Sequence, residues 1–255
     1  MKFLTNKPAL ITENSLVIGD LHLGIEYELY KSGFSLPSSI NKILEMIKTI
    51  LESEKVEKLI LLGDVKHNVP EISFQESREI PIFLKELSNL VEVHIVPGNH
   101  DGKIENLSPE NIIVHERKGF LLNDTYFNHG HTWPGKELTK AKRLIIAHLH
   151  PAIEFLDSSG YRYIEPCWLR CVPNAKKIEE KYGKKVRCEN VIVVPAFNPI
   201  ITGVPVNEKE VEDKLPSNPL VRNGIIKIED CDVHLLDGTY LGKVKDLKIS
   251  KKLKK

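Results

Sequence analysis

The sequence predicts an α/β protein with parallel strands. Two short apolar runs, residues 16–18 and 59–62, have the length and composition of buried strands. Between them, apolar side chains recur at helical spacing over residues 40–51. A strand, a helix and a second buried strand form a βαβ unit, which binds ligands at the carboxyl ends of its strands. Both runs are followed at once by glycine and aspartate, so we expect functional residues at that edge of the sheet.

Length and composition are those of one globular domain. A chain of 255 residues with 41% apolar and 28% charged residues can bury a full core. It has no run of about 18 apolar residues that would span a membrane, and residues 1–6 lack the apolar stretch of a signal peptide. We therefore expect a cytoplasmic protein with one domain over residues 1–240 and a basic tail over residues 241–255.

The predicted tail carries most of the charge asymmetry. It holds seven lysines and one aspartate, a charge of +6, so the net charge of +1 leaves −5 on residues 1–240. Such a tail can contact nucleic acid or an acidic surface, although a solvated, frayed terminus is the simpler interpretation.

The four cysteines, at positions 167, 171, 188 and 231, include no Cys-x-x-Cys pair of the kind that holds zinc. We expect reduced, structural thiols. A disulfide is the first alternative, because the lysine-, glutamate- and isoleucine-rich composition is typical of thermophiles, whose intracellular proteins do contain disulfides. A Cys₄ metal site is the second.

The remaining elements continue the alternation of strands and helices. Glycine and proline indicate a loop over residues 26–37, after which a helix begins at Ser38 or Ser39. Pro81 is expected to open the next helix, and a short surface helix is expected over residues 176–185. Further strands are predicted at residues 91–96, 112–114, 120–122, 125–127 and 144–146, and strands of a second sheet at residues 161–164, 191–194, 225–228 and 233–236.

Polar side chains suited to metal binding follow five of the predicted strands. In chain order these exits read Asp20-x-His22, Gly63-Asp64, Gly98-Asn99-His100-Asp101, His129-Gly-His131 and His148-x-His150. Carboxylate oxygens and imidazole nitrogens suit borderline divalent ions such as Mn²⁺, Fe²⁺, Ni²⁺ or Zn²⁺, and one carboxylate can serve two ions. A single Asp-x-His often occurs without a metal, whereas the ordered set predicts a metal site.

This ordered set resembles the motif series of the calcineurin-like metallophosphoesterase superfamily over about residues 16–151. That series runs Asp-x-His, Gly-Asp, Gly-Asn-His-Asp/Glu, His and Gly-His-x-His. The opening Gly-Asp-Leu-His-Leu-Gly and the later Pro-Ala-Phe-Asn-Pro are similar to predicted phosphoesterases related to SbcD-like nucleases and to ligase-associated phosphoesterases. The resemblance implies a four-layer α/β/β/α sandwich, the metallophosphoesterase fold, with a dimetal site at the carboxyl ends of the strands.

The resemblance also implies two ligand sets. It places one ion on Asp20, His22, Asp64 and His150, and the other on Asp64, Asn99, His129 and His148, so that Asp64 bridges them. Two ions about 3.5–4 Å apart can bind phosphate oxygens and lower the pKa of a bridging water. Ala147 stands where the family has glycine, so we expect strain there if that turn requires a positive φ.

His100 matches the family's histidine that binds no metal and either donates a proton to the leaving oxygen or stabilises the phosphorane-like charge. Asp101 is expected to orient His100 by accepting its other N–H. The candidate substrate-binding residues are His131, Lys66 and His67. An ordinary position in a loop explains the presence of each of them about equally well.

The histidines outside these motifs, at positions 94, 115 and 234, adjoin apolar strands and are expected to be structural. Tyr27, Phe34 and Trp133 have the chemistry to stack on the bases of a single strand, although core packing explains them as well.

We expect a hydrolase that cleaves a phosphodiester with metal-activated water and two divalent ions, Mn²⁺ by preference. The nuclease-like resemblance favours a diester over a monoester, as does the placement of His100 to protonate a poor leaving group. The expected partner is a nucleotide or single-stranded nucleic acid, and no membrane partner is expected. The sequence leaves open whether the protein forms a homodimer. The alternatives are a phosphomonoesterase, a nucleotide pyrophosphatase, or a non-catalytic metal-bound scaffold, which the complete ligand set disfavours.

Overall fold

Two β-sheets face each other in the computed structural model, which describes residues 1–208, 211, 215 and 217–249. The first sheet has six strands in chain order: β1 (Lys2–Phe3), β2 (Leu10–Thr12), β3 (Ser15–Ile18), β4 (Lys58–Leu61), β5 (Glu92–Ile95) and β6 (Ile113–Val114). Strands β1 to β3 pair antiparallel, and β3 to β6 pair parallel. The parallel pairing of β3 with β4 confirms the βαβ unit expected from the sequence.

The second sheet contains nine strands. They are β7 (Phe120–Leu122), β8 (Thr125–Phe127), β9 (Arg143–Ile146), β10 (Pro151–Leu156), β11 (Arg162–Cys171), β12 (Asn190–Val193), β13 (Val204–Pro205), β14 (Asp232–Leu235) and β15 (Tyr240–Lys243). Seven follow the order β13-β10-β11-β12-β9-β8-β7, while β14 pairs with β11 and β15 with β14. The pairs β8–β9 and β9–β12 are parallel.

Helices cover the outer faces of both sheets. Those within the described residues are α1 (Ile25–Lys31), α2 (Ile40–Glu54), α3 (Phe74–Ser88), α4 (Ala175–Tyr182) and α5 (Pro219–Arg222), with 3₁₀ turns at Ile104–Leu107, Lys136–Lys140, Ile228–Asp230 and Val244–Leu247. None of the helices within the described ranges has the length and apolar character needed to cross a membrane.

Three buried clusters define the layers. Leu16 and Ile18 of β3 face the cluster that includes α2 and α3, whereas Val17 between them belongs to a second cluster that lies between the two sheets. Successive side chains of a strand point to opposite faces, so a strand with both faces covered is apolar throughout. A third cluster lies outside the second sheet and includes Ile178 of α4 and Leu220 of α5. The four-layer α/β/β/α sandwich is therefore confirmed.

Two helix predictions need correction. Helix α1 occupies part of the expected loop, because the glycine and proline that indicated the loop come only after its last residue. Helix α3 begins at Phe74 rather than at Pro81. Its start is fixed by a capping box, in which the Ser73 hydroxyl accepts from the Glu76 amide at 3.2 Å and the Glu76 carboxylate accepts from the Ser73 amide at 2.7 Å. Pro81 lies inside this helix.

Other differences fall in the second half of the chain. Residues 225–228 form no strand, and their isoleucines pack in the outer cluster of the second sheet, because a short apolar run does not by itself distinguish a strand from other buried structure. The boundary expected after residue 240 falls inside β15, where Lys243 bonds Asp232 at 3.3 Å. Residues 250–255 of the predicted tail lie outside the described residues.

The cysteines are not all reduced. Cys171, at the end of β11, forms a disulfide with Cys231, just before β14. Cys167 and Cys188 are free and buried, and burial raises the pKa of both thiols. The expectation of four reduced thiols is therefore wrong for one pair, and the Cys₄ alternative is excluded because two of its sulfurs bond each other.

We predict that the unfolded, oxidised protein reacts with Ellman's reagent at two thiols, and at four after reduction. Reduction should lower Tm, because the bridge joins residues 60 apart in sequence, and closing such a loop contributes up to about 4 kcal/mol in the chain-entropy account. The control is the double variant Cys171→Ser/Cys231→Ser. Its Tm should equal that of the reduced protein and should not change when reductant is added. Four reactive thiols before reduction would contradict the pairing.

Candidate dinuclear metal site

Six of the seven predicted metal ligands meet where four strands end. Asp20, His22 and Asp64 follow β3 and β4 of the first sheet. His129 follows β8, and His148 and His150 follow β9, in the second sheet. The site therefore lies across the edge shared by the two sheets, with ligands supplied by both.

Left-handed backbone conformations aim these side chains. Positive φ values occur at Asp20 (55°), His22 (42°), Asp64 (49°), His148 (70°) and His150 (42°). Such angles cost about 1–3 kcal/mol each outside glycine and persist only where the surroundings hold them. Here the Asp20 amide donates to the Gly63 carbonyl at 3.0 Å, and the His22 amide donates to the Asp64 carbonyl at 2.7 Å.

The strain expected at Ala147 does not occur. The positive φ of that turn falls on His148 instead. Ala147 packs against Gly19, where an added Cβ would lie 2.9 Å from the Ala147 Cβ. The glycine that the family has at this position is therefore not required for the turn seen here.

The first expected ligand set is assembled in full. Asp20, His22, Asp64 and His150 each offer a ligand atom within 4.8 Å of the others. His22 Nε2 lies 3.6 Å from Asp64 Oδ2 and 3.4 Å from His150 Nε2. His150 Nε2 lies 3.2 Å from Asp20 Oδ1.

The second set shares Asp64. Asp64, His129 and His148 form another such cluster, with His129 Nε2 3.4 Å from Asp64 Oδ2. The His129 Nδ1–H donates to the Leu62 carbonyl at 2.8 Å, which leaves Nε2 as the metal-facing nitrogen. The His148 amide donates to Asp20 Oδ2 at 3.1 Å and so ties the second set to the first.

Asn99, the remaining expected ligand, lies between two residues that contact Asp64. A Cβ on Gly98 would lie 2.1 Å from Asp64 Oδ1, and the His100 amide donates to that same oxygen at 2.9 Å. The Asn99 residue is exposed. Its role as a ligand stays a prediction.

Charge in the site is concentrated on buried aspartates. Burial raises the pKa of Asp64, but the neighbouring His129 outweighs this and holds it well below its usual range. Asp20 behaves in the same way, with His150 as the main opposing group. Burial lowers the pKa of His22 to about 3 and of His148 to about 4. Burial would also lower the pKa of His129, but the Asp64 charge outweighs this and raises it to about 9. Ionised carboxylates and imidazoles therefore share a space from which water is largely excluded.

These residues fit a pair of divalent cations. Asp20 Oδ1 and His129 Nε2 are buried atoms without a hydrogen-bond partner, and each belongs to a residue of one of the two clusters. Buried polar atoms are rarely left unpaired, so such atoms indicate a missing ligand. Oxygen and imidazole donors without thiolates suit Mn²⁺, Fe²⁺, Ni²⁺ or Zn²⁺.

The expected pairing of Asp101 with His100 is wrong. The Asp101 carboxylate accepts from the Gly98 amide at 2.8 Å and from the Lys66 amide at 3.1 Å, so each of its two oxygens is hydrogen bonded to a backbone amide. Burial, followed by the nearby Asp64 charge, raises its pKa to about 6. His100 Nδ1 instead contacts the His67 carbonyl. Asp101 is thus a positioning residue for the two loops that carry Asp64 and His100.

The three candidate substrate-binding residues differ in placement. Lys66 is fully buried and its ammonium donates to the Asn68 carbonyl, so the expected substrate contact is not available to it. His67 is half-buried and forms a cluster with His22 and His100. The His131 ring lies 5.2 Å from the His129 ring, and both its nitrogens are buried without a partner. His67 and His131 therefore belong to the site, and their contact with substrate stays a prediction.

The residues that support the site were missed from the sequence. Glu76 Oε1 accepts from the His67 and Asn68 amides at 2.9 and 2.8 Å, in addition to its role in the capping box. The fully buried Asn198 donates to the Leu21 carbonyl at 2.7 Å and so holds the loop between Asp20 and His22. The Ser73-x-x-Glu76 spacing was a readable signal, whereas nothing local marks Asn198.

Residues expected to be structural have partners of their own. His94 Nδ1 lies 2.8 Å from His115 Nε2, and the His115 ring stacks on Phe120 at 3.7 Å. Trp133 packs against the outer cluster of the second sheet, with the Lys181 ammonium 4.7 Å above its ring. That packing makes Trp133 a poor platform for a base.

We predict that Gly98→Ala abolishes high-affinity Mn²⁺ binding, because the new methyl group would displace the Asp64 carboxylate. Gly102→Ala is the matched control, since a Cβ there meets nothing within 4 Å. Isothermal titration with Mn²⁺ measures both, and circular dichroism checks that both variants fold. Equal Mn²⁺ binding by the two variants would contradict the placement of Asp64.

Solved structures provide a comparison for the fold. The nuclease MPE of Pseudomonas putida is 18% identical, with a TM-score of 0.54 over 89% of this chain and 88% of that chain. The E. coli phosphoesterase YfcE is 14% identical (TM-score 0.38, 90% and 97% covered). A Vps29 double mutant from Entamoeba histolytica is 16% identical (TM-score 0.32, 75% and 81% covered). The first superposes well enough to establish a shared fold, and the fold alone.

The family assignment comes from the sequence. No curated protein matches the chain. The family model described as calcineurin-like phosphoesterase matches residues 14–191, more than half of the chain, and that stretch contains every expected metal ligand. This chain therefore belongs to the calcineurin-like phosphoesterase family.

Proposed function

We propose that this protein is a dimetal-dependent phosphodiesterase that acts on single-stranded nucleic acid or a nucleotide. The observation that carries the proposal is the pair of buried ligand clusters that share Asp64, with His100 beside them. Mn²⁺ is the preferred ion, with Ni²⁺, Fe²⁺ or Zn²⁺ as alternatives, because the donors are oxygens and imidazole nitrogens.

Each ion would be held by residues from both sheets. Asp20, His22, Asp64 and His150 would hold the first, and Asp64, Asn99, His129 and His148 the second. When bound, such a pair supplies an activated water and neutralises charge on the phosphate. The pKa of Asp64 is held below its usual range, so this carboxylate would be ionised and able to bridge the two ions.

The chain's own contribution to bond cleavage would come from His100. Its Nδ1 contacts the His67 carbonyl, so Nε2 is the nitrogen left for substrate. In the imidazolium form both nitrogens donate, Nδ1 to that carbonyl and Nε2 to the leaving oxygen. The alkoxide that leaves from an alkyl phosphoester is a poor leaving group and gains from such a proton.

Exposed aromatic side chains on helix α1 and just after it support a nucleic-acid substrate. Tyr27 is 39% exposed on α1, the helix whose Glu28 contacts His67, and Phe34 is 65% exposed just after that helix. One solved structure that shares this fold is that of a nuclease. Bases stacked on Tyr27 and Phe34 would lead a single strand towards the site.

We predict that His100→Ala lowers hydrolysis of bis-p-nitrophenyl phosphate by about 10²–10⁴-fold while Mn²⁺ binding persists, because the contact with Asp64 comes from the His100 backbone. Asp64→Ala should lose both Mn²⁺ and activity, and His234→Ala, on the distant strand β14, should keep both. Faster hydrolysis of p-nitrophenyl phosphate by the wild type would indicate a phosphomonoesterase. Absence of activity with every divalent ion would favour the scaffold alternative.

We predict that Tyr27→Ala and Phe34→Ala each weaken binding of a fluorescent oligo-dT by at least about fivefold, since a stacked base contributes about 1–3 kcal/mol. Fluorescence anisotropy in the His100→Ala background avoids cleavage. Tyr161→Ala is the control, because this tyrosine is as exposed as Phe34, at 66%, but lies in the turn between β10 and β11. Equal effects at all three positions would contradict a stacking surface on α1.

A further inference from the structure

Three side chains form a hydrogen-bonded series that ends at the first ion's ligand cluster. Glu28 Oε2 lies 2.6 Å from His67 Nε2, and His67 Nδ1 lies 3.1 Å from His22 Nδ1. The other nitrogen of His22, Nε2, is the one within 3.6 Å of Asp64 Oδ2. Glu28 itself, on α1, belongs to neither ligand set.

The chemistry of the groups fixes where the protons are. An ionised carboxylate only accepts, so His67 Nε2 must carry the proton that it shares with Glu28. In the neutral ring His67 Nδ1 is then an acceptor, and His22 Nδ1 must donate to it. His22 Nε2 is therefore left with a free lone pair, directed into the cluster of Asp20, Asp64 and His150.

The surroundings hold His67 where this series requires it. Its amide hydrogen bonds with both the Leu23 carbonyl, at 3.0 Å, and Glu76 Oε1, at 2.9 Å. Its own carbonyl is contacted by His100 Nδ1. His67 is 13% exposed, whereas Glu28 is 67% exposed, so Glu28 can be changed without disturbing the buried core.

We infer that Glu28 is a positioning residue for the first metal ion: through His67 it fixes the proton of His22 on Nδ1 and keeps Nε2 free to bind metal. This inference rests on the proposed function, because it presupposes the dimetal site. It also assigns His67 an indirect role in metal binding, through its hydrogen bond with His22, in addition to any contact that it makes with substrate.

The sharpest variant is Glu28→Gln. The glutamine amide offers both an acceptor and a donor, so it no longer requires the proton on His67 Nε2, and by donating to that nitrogen it lets the ring proton move to Nδ1. His22 Nδ1 then becomes the acceptor, and the proton on His22 Nε2 blocks the metal. Loss of such a supporting partner typically weakens metal binding by about 10–100-fold. Only the first ion should be affected, because the second set contains no His22.

The experiment is Mn²⁺ titration calorimetry on the full chain. Wild type should bind two ions, and Glu28→Gln should bind one of them about 10–100-fold more weakly with the other unchanged. The double variant Glu28→Gln/His67→Ala should bind no more weakly than His67→Ala alone, since both act through one path. Glu52→Gln is the matched control, an exposed glutamate on α2 that should bind like wild type.

Long-range ¹H–¹⁵N NMR of the Zn²⁺-loaded protein gives a readout independent of affinity. Wild type should show His67 protonated on Nε2 and His22 on Nδ1, and Glu28→Gln should shift His67 towards the other tautomer. Wild-type affinity in Glu28→Gln, or His67 protonated on Nδ1 in wild type, would overturn the inference while the dimetal site stands. Three ions per wild-type chain would also overturn it, because the third would occupy the cluster of His22, His67 and His100 in place of the proton. Failure of wild type to bind any divalent ion would instead remove the proposed function itself.

Discussion

Two carboxylates buried side by side, Asp20 and Asp64, are the constraint on which the rest of the structure depends. Removing a charge from water costs several kcal/mol even after relaxation, and a second like charge nearby adds repulsion. The imidazoles beside them offset part of this cost. The pairing holds the pKa of both carboxyl groups below the usual range and raises the pKa of His129 to about 9, although burial alone would lower it. The fold thus holds two negative charges close together, an arrangement that bound cations would stabilise.

The surrounding residues serve that arrangement through the backbone. A loop is held in place by the buried side chain of each of three residues, which hydrogen bonds with the loop backbone: Asp101, Glu76 and Asn198. Each loop carries a ligand or a neighbour of one, and several of those residues are held in the left-handed region. A fully buried polar group that is well satisfied makes its loop rigid, and rigidity at this scale is what a metal geometry needs.

The parallel strands of the first sheet and the clustering of the candidate metal ligands could be predicted from sequence, because both depend on local signals. Short apolar runs followed by glycine and aspartate identified the ends of β3 and β4, and the order of the motifs identified the family. The start of α3 differs from the prediction because the capping box of Ser73 and Glu76, and not Pro81, fixes it. The partner of Asp101, the pairing of Cys171 with Cys231 and the contact between Glu28 and His67 depend on which loops meet in space. No periodicity or spacing within one segment encodes such contacts.

The division of the ligands between the sheets has a mechanical consequence. The first sheet supplies Asp20, His22 and Asp64, and the second supplies His129, His148 and His150, so every bound ion would join two halves between which an apolar cluster lies. Ions that bind only the folded state stabilise it in proportion to the logarithm of their concentration over Kd. The metal pair would then act as a crosslink between the sheets. The same residues that serve catalysis would also hold the two sheets together at the edge where the ligands lie.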